Sequence, residues 1–230
     1  MSRTTLLAKG TIATAIAASA VFGLGACSSD SGTSAAASTT SSSSGHTAPE
    51  PTATVAAVPG GTTSVALDQG FVAALTQLGL TPGTVGNAAL DGTTVTFPIT
   101  GGTVTLYDKT TGYRPYVQGV LLHEGSGLSL AAGGTTVQLT NFTVDPGNPA
   151  RVFGDVTVNG QLAAPSAPIF DLNGSTLEPI TMNSDGSAVL SGTTVTISPE
   201  AAQLLDQTFS TDAVKGGLVV GISTITVQTK

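Results

Sequence analysis

Between Gly60 and the C-terminus, threonine and small apolar residues alternate in short runs, and each run ends at glycine, asparagine or aspartate. Val95, Phe97 and Ile99 alternate with Thr94, Thr96 and Thr100. That period of two places one set of side chains on a core and the other toward water, the pattern of a half-buried strand. Val104-Thr105-Leu106 follows Gly101-Gly102. Val137 and Leu139 alternate on one parity, Phe142 and Val144 on the other. A β-bulge near Thr140-Asn141 accounts for the slip of one residue. Leu90 runs into Asp91-Gly92 and Val158 into Asn159-Gly160; both dipeptides adopt positive φ readily and predict hairpins. Ile169-Phe170, Ala188 to Leu190, Val195 to Ile197 and Val219 to Val227 complete about ten strands.

Two short helices interrupt the strands. Asp68 is the expected N-cap of the first, which runs to Leu78 and stops at Gly79, with Phe71, Ala74, Leu75 and Leu78 on one face. The second begins at Ser198-Pro199-Glu200, in the order cap, first-position proline and first-turn acid, and would bury Ala201, Leu204, Leu205 and Phe209. The expectation is a mainly β domain, an antiparallel β-sandwich or flattened barrel with two short helices.

The chain holds one cysteine, Cys27, so the body has neither a disulfide nor a thiolate metal site and depends on its apolar core. Residues 1–26 read as a signal segment. Arg3 and Lys9 precede an uncharged apolar stretch of about 17 residues, short of the roughly 20 needed to span a bilayer. Leu24-Gly25-Ala26-Cys27 resembles the lipobox of bacterial lipoproteins, with an aliphatic residue, two small residues and then cysteine. The resemblance covers the first 27 residues and implies diacylglyceryl transfer to the Cys27 thiol, cleavage before it, palmitate on the mature protein and a location on the extracytoplasmic face of the cell membrane. Two acyl chains anchor stably where one would not.

Residues 27–59 are expected to form a tether of Ser, Thr, Ala, Gly and Pro, including Ser41-Ser42-Ser43-Ser44-Gly45 and a solvated His46. Such a segment buries too little apolar surface to offset the entropy of ordering it. About 32 flexible residues reach on the order of 30 Å. Residues 60–230 then form a single extracytoplasmic domain.

Five basic residues of the body, Lys109, Arg114, Arg151, Lys215 and Lys230, face twelve acids, and the whole chain carries a net charge of −7. With no basic patch to release counterions, nucleic acid is not an expected partner. The expected partners are the membrane, through the lipid on Cys27, and a small-molecule or cell-envelope ligand.

Chemistry-bearing residues are few. His123 is the only histidine of the body and stands in Val120-Leu121-Leu122-His123-Glu124-Gly125-Ser126-Gly127, read as a strand end before a glycine-rich turn. The simple reading of His123 is structural, bonded to a loop carbonyl. It lacks the second histidine of an H-E-x-x-H zinc helix, and no metal site is expected. A hydrolase using His123 could draw on Ser126, but the G-x-S-x-G elbow is absent. Asp171 to Gly174 and Asn183 to Gly186 are oxygen-rich turns that match no complete calcium loop.

All three tyrosines fall between Tyr107 and Tyr116, with Arg114 between Tyr113 and Tyr116. Clustered aromatic and cationic residues are enriched in recognition sites. Tyr113, Arg114, Tyr116 and His123 are therefore the candidate ligand-binding residues. The strand and glycine-rich phrasing around His123, with the strand-helix ending, is similar to secreted haem-transport-associated domains of Gram-positive bacteria. The resemblance implies haem held by Tyr and His; it rests on no alignable motif, so no ligand is carried over. A non-catalytic binding module without a resident cofactor is favoured over an extracytoplasmic hydrolase, with haem binding as the alternative.

Overall fold

The computed structural model describes residues 48–230; the signal segment, Cys27, His46 and most of the tether lie outside them. Thirteen strands and two helices follow one another: β1 Ala53–Val55, β2 Gly61–Leu67, α1 Gln69–Gln77, β3 Thr81–Gly86, β4 Ala89–Asp91, β5 Thr94–Pro98, β6 Gly101–Leu106, β7 Val117–Ala132, β8 Thr135–Asp145, β9 Arg151–Val158, β10 Gln161–Asn173, β11 Thr181–Met182, β12 Ala188–Ile197, α2 Pro199–Phe209 and β13 Val219–Val227. The strands form one antiparallel sheet in the order β1-β6-β7-β8-β9-β10-β12-β13-β2-β5-β4, with β3 added to β7 and β11 to β12. β5 continues into β6 through Ile99-Thr100, so the sheet curls round until the chain itself links its two sides. The protein is mainly β, of the sandwich or flattened-barrel kind, with two helices, as the alternation predicts.

A row of backbone irregularities bends the sheet. The β7–β8 register shifts between His123 and Gly127, and the β8–β9 register between Thr140 and Thr143, where Asn141 sits at φ 55°. β10 shifts three times against β9, with Ser166 at φ 45°. Side chains stitch this row. Asn141 accepts from the Gly125 N–H at 3.0 Å and donates to Asp155 at 3.0 Å, and Asp155 accepts from the Ser166 N–H at 3.0 Å. The Asn141 amide, then the Ser166 N–H, hold the Asp155 carboxyl below its ordinary range. Aligned bulges add local twist and bend, and the interior forms on the concave side.

The bulge expected near Thr140-Asn141 is present, whereas the turn expected at Gly125-Ser126-Gly127 is instead a bulge inside the 16-residue strand β7. Glycine is needed close by for a different reason. A Cβ on Gly86 would lie 2.0 Å from the Gly125 carbonyl oxygen, so β3 and the bulge touch backbone to backbone. β3 carries Pro82 and two glycines, a weak strand signal, and survives as an edge paired only with β7.

The ordered body begins ahead of Gly60. β1 pairs with β6 from Ala53↔Leu106 to Val55↔Val104, and Val58 is 5% exposed in the core. Sparse apolar residues suffice here because the exposed border of β6 supplies hydrogen-bond partners.

Both helices start as their caps require. Asp68 accepts from the Gly70 and Phe71 N–H groups, and Ser198 from the Ala201 N–H at 3.0 Å while donating to the Pro168 carbonyl at 2.7 Å. Ala201, Ala202 and Leu205 are buried on α2 and Leu75 on α1, while Leu204 and Phe209 pack half-buried. Glu200 pairs with Arg151 at 3.0 Å, and Arg151 also meets Asp171 at 2.9 Å, tying α2 to β9 and β10.

Candidate functional site

His123 stands on β7 one residue before the bulge and faces the concave interior, 1% exposed. Its Nδ1 lies 3.3 Å from the Phe142 carbonyl oxygen and its Nε2 2.8 Å from the Thr63 hydroxyl. A carbonyl only accepts, so Nδ1 carries the proton and Nε2 accepts from Thr63. Burial pushes the ring's pKa down to about 4, against the smaller opposing pull of the Phe142 carbonyl. The ring is thus a neutral, fully engaged group that joins β7 to β8 and β2. The carbonyl it meets belongs to strand β8, where the sequence points to a loop carbonyl. Ser126 is 0% exposed, and its hydroxyl donates to the His123 carbonyl at 3.0 Å, away from the imidazole nitrogens. The geometry of a serine-histidine nucleophile is not formed by this pair.

Beside His123 opens a cavity of about 650 Å³. Phe97, Phe142 and Phe170 give it an aromatic wall, with centroid separations of 5.4 Å between the first two and 6.0 Å between the last two. The hydroxyls of Thr63, Thr193 and Ser223 interrupt the apolar lining. The period-two alternation explains the inward set, because Phe97 and Phe142 share the buried parity of β5 and β8.

The β6–β7 loop supplies the polar side of the cavity. Asp108 caps a 3-10 turn, Lys109–Thr111, by accepting from the Thr110 N–H and hydroxyl, each at 2.8 Å. These bonds, the backbone one first, hold its carboxyl below the ordinary range. Arg114 donates to the Lys109 and Tyr113 carbonyls at 3.3 and 2.8 Å, which fixes its guanidinium in the loop. Lys109 Nζ lies 4.5 Å from the Tyr116 ring centre and the Arg114 guanidinium 5.6 Å from it. Lys109, Arg114 and Tyr116 all line the cavity. Tyr116 Oη is shut away from solvent and has no hydrogen-bond partner among the described residues. A buried unpaired hydroxyl is costly and uncommon.

Of the four residues expected to bind a ligand, Arg114, Tyr116 and His123 line one cavity. Tyr113 is not among its lining; its ring packs against Tyr107 at 4.7 Å. Lys109, Thr63 and the three phenylalanines were not singled out from the sequence. Clustering with the tyrosines could have flagged Lys109. The phenylalanines read as ordinary core, and only the curl shows that they surround a space. The two oxygen-rich turns use their side chains locally: Asn173 accepts from Ser175, and Asp185 from the Ser187 N–H at 2.8 Å and its hydroxyl at 2.7 Å. Among the described residues no group of three His, Cys, Asp or Glu side chains is placed to hold a metal ion.

A second compartment, about 320 Å³, lies between the helices and the sheet. Leu67, Val95, Leu128, Phe170 and Val220 line both spaces and form the septum between them.

No family model matches the sequence, and no curated protein matches it. Among solved structures, the chain is similar to the C-terminal domain of HtaA from Corynebacterium glutamicum, at 14% identity and a TM-score of 0.51, covering 74% of this chain and 97% of that one. A domain-swapped dimer of a variant of the same HtaA domain matches at 15% identity and a TM-score of 0.42, covering 70% of this chain and 94% of that one. The first likeness establishes a common fold.

Proposed function

We propose that this protein is an extracytoplasmic binding module, held at the membrane through a lipid on Cys27, whose ligand enters the cavity beside His123. The observation that carries the reading is Tyr116 Oη, buried and partnerless on the wall of a 650 Å³ cavity beside two cations. A ligand that restores a partner to this oxygen removes the cost of burying it. Its chemistry follows from the walls: a flat or bulky apolar body, an acceptor of the phenol or an electron-poor centre bound by it, and an anionic edge toward Lys109 and Arg114.

Haem has these properties, and the fold shared with the HtaA domain agrees with the likeness to haem-transport-associated domains. Tyr116 would hold the iron, and Lys109 and Arg114 would meet the carboxylates. His123 fits less well as a ligand, because both its nitrogens are already bonded. When bound, haem would supply an iron centre for the phenol oxygen; the residues of the chain bind and shield it.

The test is a haemin titration of the purified full chain, read as a Soret shift. The expected result is a shift that Tyr116→Phe abolishes and Tyr113→Phe leaves intact. No shift in the unsubstituted protein would remove haem as the ligand. The anchor is tested separately: Cys27→Ser should move a normally folded protein out of the membrane fraction, and palmitate labelling that survives this change would refute it.

A further inference from the structure

The compartment beneath α1 and α2 has no role in the reading above. Its walls are apolar on all sides: Leu75 from α1 and Leu78 at its C-cap, Leu205 from α2, Leu130, Leu139 and Ile169 from the sheet, and the rings of Phe71 and Phe170. Polar groups occur only as the Thr84 and Ser129 side chains and Glu200, whose carboxylate is taken by Arg151. Protein interiors pack at crystal-like density, and an apolar cavity of about 150 Å³ stays dry and takes up apolar guests. A polar ligand would lose its hydrogen bonds here without replacement. Exposed lining residues give the compartment its own way out: Pro82 and Thr84 on the edge strand β3, and Leu90, an exposed leucine on the edge strand β4.

We propose that this compartment is a second binding site, for a single hydrocarbon chain such as the acyl chain of a membrane-derived amphiphile, which enters near Leu90 with its head group left in water. The site reads chain length and ignores head-group charge, because it presents no free cation. Lys109 and Arg114 belong to the other cavity, across the septum. The proposal does not depend on haem, and its test separates the two.

The probe is cis-parinarate, bound to the purified full chain carrying Cys27→Ser so that no acyl group of its own competes. Displacement is measured with n-alkanoates and n-alkanols of increasing length. Each added methylene should tighten binding about fourfold until the compartment is full. Acid and alcohol of equal length should agree within about threefold, since this is under 1 kcal/mol. Ala74→Phe on α1 and Ala164→Leu on β10, each filling the compartment from a different wall, should shorten the length at which affinity levels off while leaving the haemin titration unchanged. The proposal is overturned if affinity does not depend on chain length, or if the dependence survives both substitutions in proteins that unfold like the parent. It is also overturned if acids bind far better than alcohols and Arg114→Ala removes the difference, since the chain would then occupy the first cavity.

Discussion

The two spaces inside the curl share five wall residues and differ in almost everything else. The larger is bordered by Lys109 and Arg114, holds the partnerless Tyr116 hydroxyl, and has the engaged His123 in its wall. The smaller is bounded by two helices and is almost wholly apolar. The difference traces to what closes each one. A loop rich in tyrosine and cations brings polar groups to the first, while helices capped by Asp68 and Ser198 present apolar stripes to the second, where the one acid they contribute, Glu200, is held by Arg151. One sheet can therefore offer two chemistries, because alternate residues of each strand supply the same apolar wall and the connections decide what faces it.

The septum is the sharpest test of that separation. Phe170→Ala should fuse the spaces and cost about 3 to 4 kcal/mol in urea unfolding. It should also make haemin and long alkanoates compete; independent binding in this variant would mean that Phe170 does not divide them. On the polar side, His123 should impose a pH dependence. Its folded pKa of about 4 lies below the ordinary 6.5. Above pH 6.5 neither state binds the proton. As pH falls from 6.5 to about 4 the unfolded chain takes it up and the folded chain does not, so stability falls, by on the order of 3 kcal/mol when the folded ring finally titrates. Urea midpoints across this range should show the slope, and His123→Gln should flatten it.

Tyr116→Phe should raise the stability of the ligand-free protein by about 1 kcal/mol, because it deletes an unpaired buried hydroxyl. The same change should weaken ligand binding in the larger cavity and leave the smaller one untouched. A loss of stability instead would mean that the hydroxyl has a partner. The smallest effect is expected at Asp155→Ala, on the exposed stitching of the bulges, at below about 1 kcal/mol and without preference for either space. Thermal unfolding and both titrations would check it.

Much of the architecture is legible in the residues. The slip in parity between Leu139 and Phe142 locates the β8 bulge, Asn159-Gly160 makes its hairpin with φ of 50° and 79°, and both helices begin at their caps. These features are local, and a few neighbouring side chains determine each. β1 and β3 are less legible, since their strand character comes from borders of β6 and β7 that lie distant in sequence. The same holds for the site. The tyrosine cluster and lone histidine pick out Tyr116, Arg114 and His123, but also Tyr113, which packs on Tyr107 instead.

By itself, the amino-acid sequence determines a cysteine-free β body with two capped helices, an acidic surface, and a single region of concentrated aromatic and cationic residues. Local propensity, alternation and cap chemistry act over a few residues, and that is enough for these conclusions. Only the tertiary structure decides that inward phenylalanines enclose space, that burial keeps His123 neutral between Thr63 and Phe142, and that the interior is divided in two. Those outcomes depend on how tightly the sheet curls, which is set by bulges on β7, β8 and β10 acting together across strands.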